Sequence, residues 1–470
     1  MTATAVVLAA GLGTRMKSSL PKVMHLVAGV PMIHHVVAAA LGAVDDVVVV
    51  VGHGREVVAG YLGRAFDHRV RCVVQEPQRG TGHAVQVAME SVDAAASEVL
   101  VLCGDTPLLH GGALVALLRD LREDGVAKLA LTYAESDEPS YGRVLFDDFG
   151  RPIDIREAKD CSEEERLVLT KNLGVYAFRA GFLRDALPRL KDDNAQHELY
   201  LTDLVALAGG AALGVRARED SFRGVNDRAQ LAAADAARRA EIVAAHAAAG
   251  VSVGPGAVIE RLVTIEADAV IGPYAVLRGA TRIARGAHVD VGCVLDDVVV
   301  HENARLKPYS VLTRSEVGED AHVGPFSHLR PHSRLERGAH VGNFVETKNT
   351  LLHAGAKANH LAYLGDGEIG EKANVGAGTI FCNYDGYQKH KTTIGAGAFI
   401  GCDTQLVAPV KVGAGAYVAT GTTVTKDIPP DALAIGRVAQ ANKEGYASRL
   451  TGRLKAAADA EKAKKAGEGA

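Results

Sequence analysis

Glycine-rich turns, cations placed just after apolar runs and one acidic residue at a strand end mark where this sequence is equipped for chemistry. The segment Leu8 to Lys22, LAAGLGTRMKSSLPK, carries Gly11, Gly13, Arg15 and Lys22 directly after an apolar run. It has neither the G-x-x-x-x-G-K-[ST] spacing of a P-loop nor the third glycine of a dinucleotide fingerprint. It does offer backbone N–H groups that can approach a triphosphate closely, and two cations to offset charge as pyrophosphate leaves. Alone, such a glycine turn reads more readily as a structural turn. It is not alone: QRGTGHA, Gln78 to Ala84, is a second glycine turn entering a helix. CGDTPLL places Asp105 at a strand end, a position suited to a Mg²⁺ ligand and equally to a helix cap or salt bridge. Glu157, between Arg156 and Lys159 in REAKD, reads by itself as a solvated ion pair. YGRV, KNLGVY and RGVNDRAQL complete the set.

The elements that must position these residues change character along the chain. In the first ~225 residues, continuous β-branched runs (AVVLAA, VVVVVG, VRCVVQ, VLVLCGD) read as strands buried on both faces. Between them, Met32 to Ala43 and His83 to Ala96 are long enough for helices. Strand then helix, repeated, predicts a mostly parallel, doubly wound sheet. Ligands of such sheets bind beyond the carboxyl ends of the strands, where Gly11 to Arg15 and Gly104-Asp105 fall. An alanine-rich segment from Asp227 to Gly250, with Asp at its start and Gly at its end, predicts one bridging helix.

Beyond it the period becomes six. Val253, Ile259, Ile265, Ile271, Leu277, Ile283, Val289 and Leu295 keep it without a slip, as do Val317 to Val341 and Ile394 to Val424. This is the pattern of a parallel β-helix, with the aliphatic residue inward and the Gly or small residue after it at the tight corner. Hexapeptide coils of this kind resemble the left-handed β-helix, a fold usually found as trimers. The phase slips between Val341 and Ile369, and FCNYDGYQKHK breaks in before Ile394; loops inserted into a solenoid tend to carry its binding site. The tail after Arg437 reads as frayed helix or disorder.

Bulk properties narrow the function classes. A net charge of −4 and 5% aromatics with no Trp argue against a nucleic-acid surface. The six cysteines show no C-x-x-C and no paired spacing, which fits a reducing cytoplasm. The apolar start TATAVVLAA lacks a basic flank, and no run of 18 apolar residues follows, so neither a signal peptide nor membrane insertion is expected.

Taken together, residues 1 to about 228 resemble a nucleotidyltransferase that makes nucleotide-sugars. The chain from 4 to 445 resembles the bifunctional N-acetylglucosamine-1-phosphate uridyltransferase/glucosamine-1-phosphate acetyltransferase family. The resemblance implies a Rossmann-like α/β doubly wound nucleotidyltransferase domain (1–226) and a linker helix (227–250). A left-handed parallel β-helix of hexapeptide repeats (251–436) and a tail (437–470) would follow. It implies UTP and acetyl-CoA as co-substrates, Mg²⁺, a homotrimer through the β-helix, a cytoplasmic location and a place in cell-wall peptidoglycan synthesis. Leu8, Ala9, Ala10, Gly11, Gln75, Gly80, Thr81 and Gly104 would hold the uridine nucleotide, with Gln75 reading the base. Arg15 and Lys22 would face the phosphates, and Asp105 and Asn226 would bind Mg²⁺. Gly142, Glu157 and Asn172 would hold the N-acetylglucosamine part.

In the second half the matching text is LRPHSRLERGAHVGNFVETKNT, ANHLAYLGD, ANVGAGT and CNYDGYQKHK. By the same resemblance Arg330, Lys348, Tyr363, Asn374 and Lys389 would hold glucosamine 1-phosphate. His360 would be the general base for an amine attacking a thioester, a task suited to an imidazole. Ala377, Asn383, Tyr384, Cys402, Thr420 and Arg437 would meet acetyl-CoA, with Asn383 and Tyr384 on a loop that reaches a neighbouring subunit. The chain departs from the family at Leu12, where Lys is common, and at Leu173, Cys402 and Thr420, where small residues or Ser are usual. Leu173 would crowd the uridyltransferase pocket, and the other pair would weaken acetyl-CoA binding. Two further readings stay open: a nucleotidyltransferase whose β-helix only trimerises or regulates, and a trimeric scaffold with decayed sites.

Overall fold

The structure, a computed structural model, describes residues 2–467 and falls into two compact units, Met1–Glu302 and Asn303–Ala470. The first unit holds a nine-stranded sheet: β1 (Ala3–Ala9), β2 (Asp46–Val51), β3 (Val70–Val74), β4 (Glu98–Cys103), β5 (Leu129–Glu135), β6 (Arg143–Phe146), β7 (Pro152–Arg156), β8 (Thr170–Arg179) and β9 (Ala212–Arg216). The order is β9-β5-β8-β4-β1-β2-β3, with β6 pairing β8 and β7. β1, β2, β3 and β4 run parallel, whereas β8 lies antiparallel to both β4 and β5. Helices Met32–Leu41 and Gly111–Asp124 pack one apolar face, and Thr81–Met89 and Ala180–Ala186 the other. Two-sided cover explains why β1, β2 and β4 read as unbroken apolar runs.

One of those runs is misleading. VRCVVQ forms β3 at the sheet edge, where Arg71, Cys72 and Val74 are exposed. A single neighbouring strand and partial cover leave the run's outer side in solvent, and Arg71 there bonds Asp46 at 2.6 Å.

The alanine-rich segment is the helix Arg228–Ala248, and the Asp227 carboxylate accepts the N–H of Gln230 at 2.8 Å as its cap. After it come the short strands of the left-handed β-helix, each stacked parallel on the strand one coil earlier. In the first unit Ile259 pairs Leu277 and Ile271 pairs Val289. In the second unit Val323 pairs Val341, Ile400 pairs Val418 and Leu406 pairs Val424. The inward aliphatics are buried, except Val253 and Ile265 in the opening coil, which are half-buried.

The coil corners differ from the expectation. Glycines directly after the aliphatic are demanded by crowding: a Cβ on Gly272 would lie 2.7 Å from the backbone of Asp290, and one on Gly376 2.7 Å from the backbone of Cys402. Left-handed backbone falls further on, at residues such as Tyr274, Phe326 and Phe344, which are not glycine. The phase slips are absorbed as coils of 17 rather than 18 residues, since Val341 pairs Ala358 and Tyr363 pairs Ile380. The inserted loop lengthens one coil to 25, with Val375 pairing Ile400. The tail forms the helix Tyr446–Gly467, exposed over 446–464, and residues 468–470 lie outside the described residues. Among the described residues no helix is long and apolar enough to cross a membrane.

Candidate active sites

The first site lies beyond the carboxyl ends of β1 and β4. A cleft of about 450 Å³ is lined by Leu8 to Leu12, Lys22, Gln75, Gly80, Thr81, Cys103 and Asp105, among others. Gly80 has a φ of 101°, and a Cβ there would lie 2.6 Å from the Leu199 carbonyl oxygen, so this turn needs glycine twice over. Gln75 is buried, and its Nε2 is held by the Gly80 carbonyl at 2.9 Å and His83 Nδ1 at 3.2 Å, which fixes the amide plane. Gln78, which the sequence reading passed over, donates to the Ala10 carbonyl and staples the two glycine turns together.

At the cleft's mouth the cations and oxygens meet. Lys22 Nζ donates to Asp105 Oδ2 and, at 3.1 Å, to Asn226 Oδ1, while an Arg15 N–H reaches the same Asn226 oxygen at 3.0 Å. Residues more than 200 positions apart thus converge on one point. Among the described residues no three His, Cys, Asp or Glu side chains gather as a metal site. Yet a carboxylate and an amide oxygen aimed at one cationic group form a hard-oxygen donor pair of the kind Mg²⁺ takes, with its remaining positions left to water and phosphate.

Beside Asp105, the Cys103 thiol is pushed up to about 12 by burial, with the Asp105 charge adding to it. It is therefore a thiol and no nucleophile at neutral pH. Further along, the Asn172 N–H donates to the Gly142 carbonyl at 2.9 Å, and a Cβ on Gly142 would lie 3.5 Å from a Glu157 carboxyl oxygen. These three expected sugar contacts are thus neighbours. Glu157 is not a solvated ion pair: Arg156 bonds Asp154 and Glu165 instead, and Glu157 accepts from the Thr202 hydroxyl at 3.1 Å. Burial raises its carboxyl above the ordinary range. Leu173 is buried in the apolar core and is not among the residues that line the cleft.

The second site is on the coils of the second unit. His360 ends the strand Lys357–His360 and lies exposed, with Nδ1 2.7 Å from Oδ1 of Asn343, its partner one coil earlier. An amide oxygen only accepts, so Nδ1 carries the proton and Nε2 is the basic nitrogen. Asn343 is a neighbour of His360 that the sequence motifs did not point to; a search at one-coil spacing, 17 positions back, would have found it. Arg330, Lys348 and Gly365 stack on successive coils, and Arg330 bonds Glu346 at 2.8 Å. A Cβ on Gly365 would lie 2.5 Å from both the Tyr363 hydroxyl and Asn383 Nδ2, so those two groups meet over that glycine. Asn374 pairs Lys357 on a different face. Lys389 covers the Tyr384 ring at 4.3 Å and lines a separate cleft of about 590 Å³ with His332, Arg334, Asp366 and Glu368.

The four remaining expected contacts form a line along one edge. Val375, Ile400, Val418 and Ala434 pair in sequence, which puts Ala377, Cys402 and Thr420 above one another. Arg437 donates to the Thr420 carbonyl at the end of this line.

Comparison with known proteins bears on both halves. The protein-family model described as MobA-like NTP transferase domain matches residues 5–200, and that described as bacterial transferase hexapeptide (six repeats) matches residues 391–426. The chain is 58% identical over 463 residues to "Bifunctional protein GlmU" of Sorangium cellulosum, covering 97% of this chain and 98% of the relative. The namesake proteins of Pelobacter propionicus and Trichlorobacter lovleyi are 48% and 46% identical, over 95% and 94% of this chain and 98% and 97% of theirs.

Proposed function

Because the chain belongs to the family of bifunctional GlmU proteins, we propose that it makes UDP-N-acetylglucosamine by two transfers at two separate sites. The observation that carries this is that one chain holds both a cation-lined cleft at the ends of β1 and β4 and an imidazole whose Nδ1 is fixed by Asn343.

At the coil site, the amine of glucosamine 1-phosphate attacks the thioester carbon of acetyl-CoA. His360 Nε2 takes the proton the amine sheds, the C–S bond breaks, and the leaving coenzyme A thiolate takes that proton from the imidazolium to depart as a thiol. Arg330, Lys348 and Lys389 hold the sugar phosphate, with Tyr363 and Asn374 on the sugar. Ala377, Asn383, Tyr384, Cys402, Thr420 and Arg437 form the acetyl-CoA groove. In the cleft, a phosphate oxygen of N-acetylglucosamine 1-phosphate attacks the α-phosphorus of UTP in line, and pyrophosphate departs. No side-chain nucleophile is required, because positioning and charge neutralisation govern this step. The backbone of Leu8 to Gly11 with Thr81 and Gly104 holds the nucleotide, and Gln75 reads its base. Gly142, Glu157 and Asn172 hold the sugar. Arg15 and Lys22 offset the charge gathering on pyrophosphate. Asp105 and Asn226 would hold Mg²⁺, which when bound neutralises phosphate charge.

We assign uridylyl transfer to residues 1–226, the linker to 227–250, acetyl transfer to 251–436 and the tail to 437–470. The cysteine usage suits a cytoplasmic enzyme. We also propose a homotrimer. Tyr309, Phe326 and Phe344 stack 5.5 and 5.6 Å apart with exposed rings, and exposed Leu361, next to His360, lies one coil on. Such an apolar ladder beside a site suits cover by a second copy of the chain.

The test supplies glucosamine 1-phosphate, acetyl-CoA, UTP and Mg²⁺ and follows free thiol and pyrophosphate together. His360→Ala should abolish thiol release yet spare pyrophosphate release from added N-acetylglucosamine 1-phosphate. Pyrophosphate without thiol release in the wild type would reduce the coils to a scaffold.

A further inference from the structure

The inserted loop 383–391, which carries Tyr384 and Lys389, is folded on itself. Asp385 accepts the backbone N–H groups of Tyr387 and Gln388 at 2.8 and 2.7 Å, and pairs with His390 Nε2 at 2.6 Å. The His390 N–H returns to the Asn383 carbonyl at 2.8 Å. A loop closed this way moves as a unit, so its position depends on how its two ends are tied to the coils. At one end Asn383 Nδ2 donates to Asp366 Oδ2 at 2.6 Å, and Asn349 holds the other Asp366 oxygen at 2.8 Å.

The other end is tied by charge. Lys391 Nζ bonds Glu368 Oε2 at 2.6 Å, Glu368 Oε1 lies 3.0 Å from His353 Nε2, and His353 Nδ1 lies 3.1 Å from Glu336 Oε2. Glu336 also accepts the Ala354 N–H at 3.2 Å. Four side chains from successive coils thus form one line ending at the loop. Carboxylate oxygens only accept, so both His353 nitrogens must carry protons for the line to be whole. Other charged or titratable groups around it are Glu371, paired with Lys372, Arg334, drawn off to Glu316, and, in the cleft with Glu368 and Lys391, His332, Asp366, Lys389 and His390, the last paired with Asp385. The Glu368 and Glu336 bonds raise His353 above its usual value of 6.5, and Lys391 with His353 lowers Glu368.

We propose that His353, as an imidazolium between Glu336 and Glu368, is a positioning residue that holds the 383–391 loop in its working place for acetyl transfer. This rests on the reading that Tyr384 and Lys389 serve that reaction. The sign follows from the raised value: the imidazolium predominates at its usual 6.5 and below, and is lost as pH climbs through its higher folded value. Neutral His353 turns one ring nitrogen's lone pair on a carboxylate. The line is then broken at Glu336 or at Glu368, and the tether slackens.

The experiment measures acetyl transfer against glucosamine 1-phosphate between about pH 6 and pH 9 in the full-length protein. Pyrophosphate release from UTP and N-acetylglucosamine 1-phosphate serves as the control. In the wild type KM should climb toward alkaline pH. His353→Gln should raise KM about tenfold at the acid end, flatten the climb and move kcat less. His353→Lys, which keeps a cation, should hold KM low to about pH 9. A His353→Gln enzyme with wild-type KM and an unchanged pH profile would overturn the proposal, provided His360→Ala is inactive in acetyl transfer. If His360→Ala instead stays active, the reading of the site itself fails. If His353→Gln also loses uridylyl transfer it has unfolded, and Glu336→Gln decides: the alkaline climb should move to lower pH, and an unmoved climb overturns the proposal.

Discussion

Lys22 sits where the Asp105 and Asn226 oxygens converge, so it neutralises the cleft's mouth before any substrate arrives. Asp105→Asn should lower uridylyl transfer by about 10² or more and leave acetyl transfer untouched, read as pyrophosphate against thiol release. At the other site, Asn343→Ala should cost about tenfold in acetyl-transfer kcat, since His360 keeps its ring but loses the group that fixes its tautomer. Glu157 gives a pH-dependent outcome. Its carboxyl is raised by burial, so the folded protein loses stability as pH rises from the unfolded value through the folded one. Glu157→Gln should therefore raise Tm more at pH 7 than at pH 4 in calorimetry, while weakening N-acetylglucosamine 1-phosphate binding. Asp105, Lys22 and His360 could be singled out as candidates in the sequence because each lies inside a local motif. Asn343 and the His353 line could not, because their partners become neighbours only when one coil lies on the next. Glu157 misled because Arg156 turns to Asp154 and Glu165, a choice that nothing in REAKD encodes.

Along the coils, period six was readable because one inward aliphatic marks each face. The reason for the glycines was not, since their constraint comes from the coil stacked above. That distinction can be measured. Gly397 has a φ of 67° with nothing within 4 Å of a Cβ, so Gly397→Ala should cost about 1 kcal/mol of stability. Gly376→Ala drives a Cβ into the backbone of Gly401 and Cys402, which cannot give way. It should lower Tm further and disturb the Ala377 edge, weakening acetyl transfer. In the sheet, the composition of VRCVVQ matched a buried strand because apolar runs report side-chain type, whereas edge or centre is set by strand order. The reversed direction of β8 was equally invisible, because orientation depends on the connection and not on the strand's own residues.

For the whole molecule, the two activities should respond differently to dilution. Sedimentation is expected to give three times the 49.2 kDa of one chain. Conditions that separate the copies should abolish acetyl transfer while uridylyl transfer continues, and a monomer active in acetyl transfer would contradict a shared coil site. The passage from strand-and-helix elements to short coil strands was legible from the change of period near residue 250, but the apolar ladder of Tyr309, Phe326 and Phe344 was not, since those residues occupy left-handed corners outside the counted positions. The stacked coils carry one more consequence, for how the length of such a protein can change. Most strands find their partner 17 or 18 residues away, or 25 where the loop is inserted, and successive side chains on a strand point in opposite directions. Removing one residue from a strand turns the rest of that strand inside out, whereas removing a whole coil returns every later residue to an equivalent place. Viable lengths are therefore quantised, and natural or designed variants should gain and lose sequence here in whole rungs, with smaller changes confined to the corners and to the 383–391 loop.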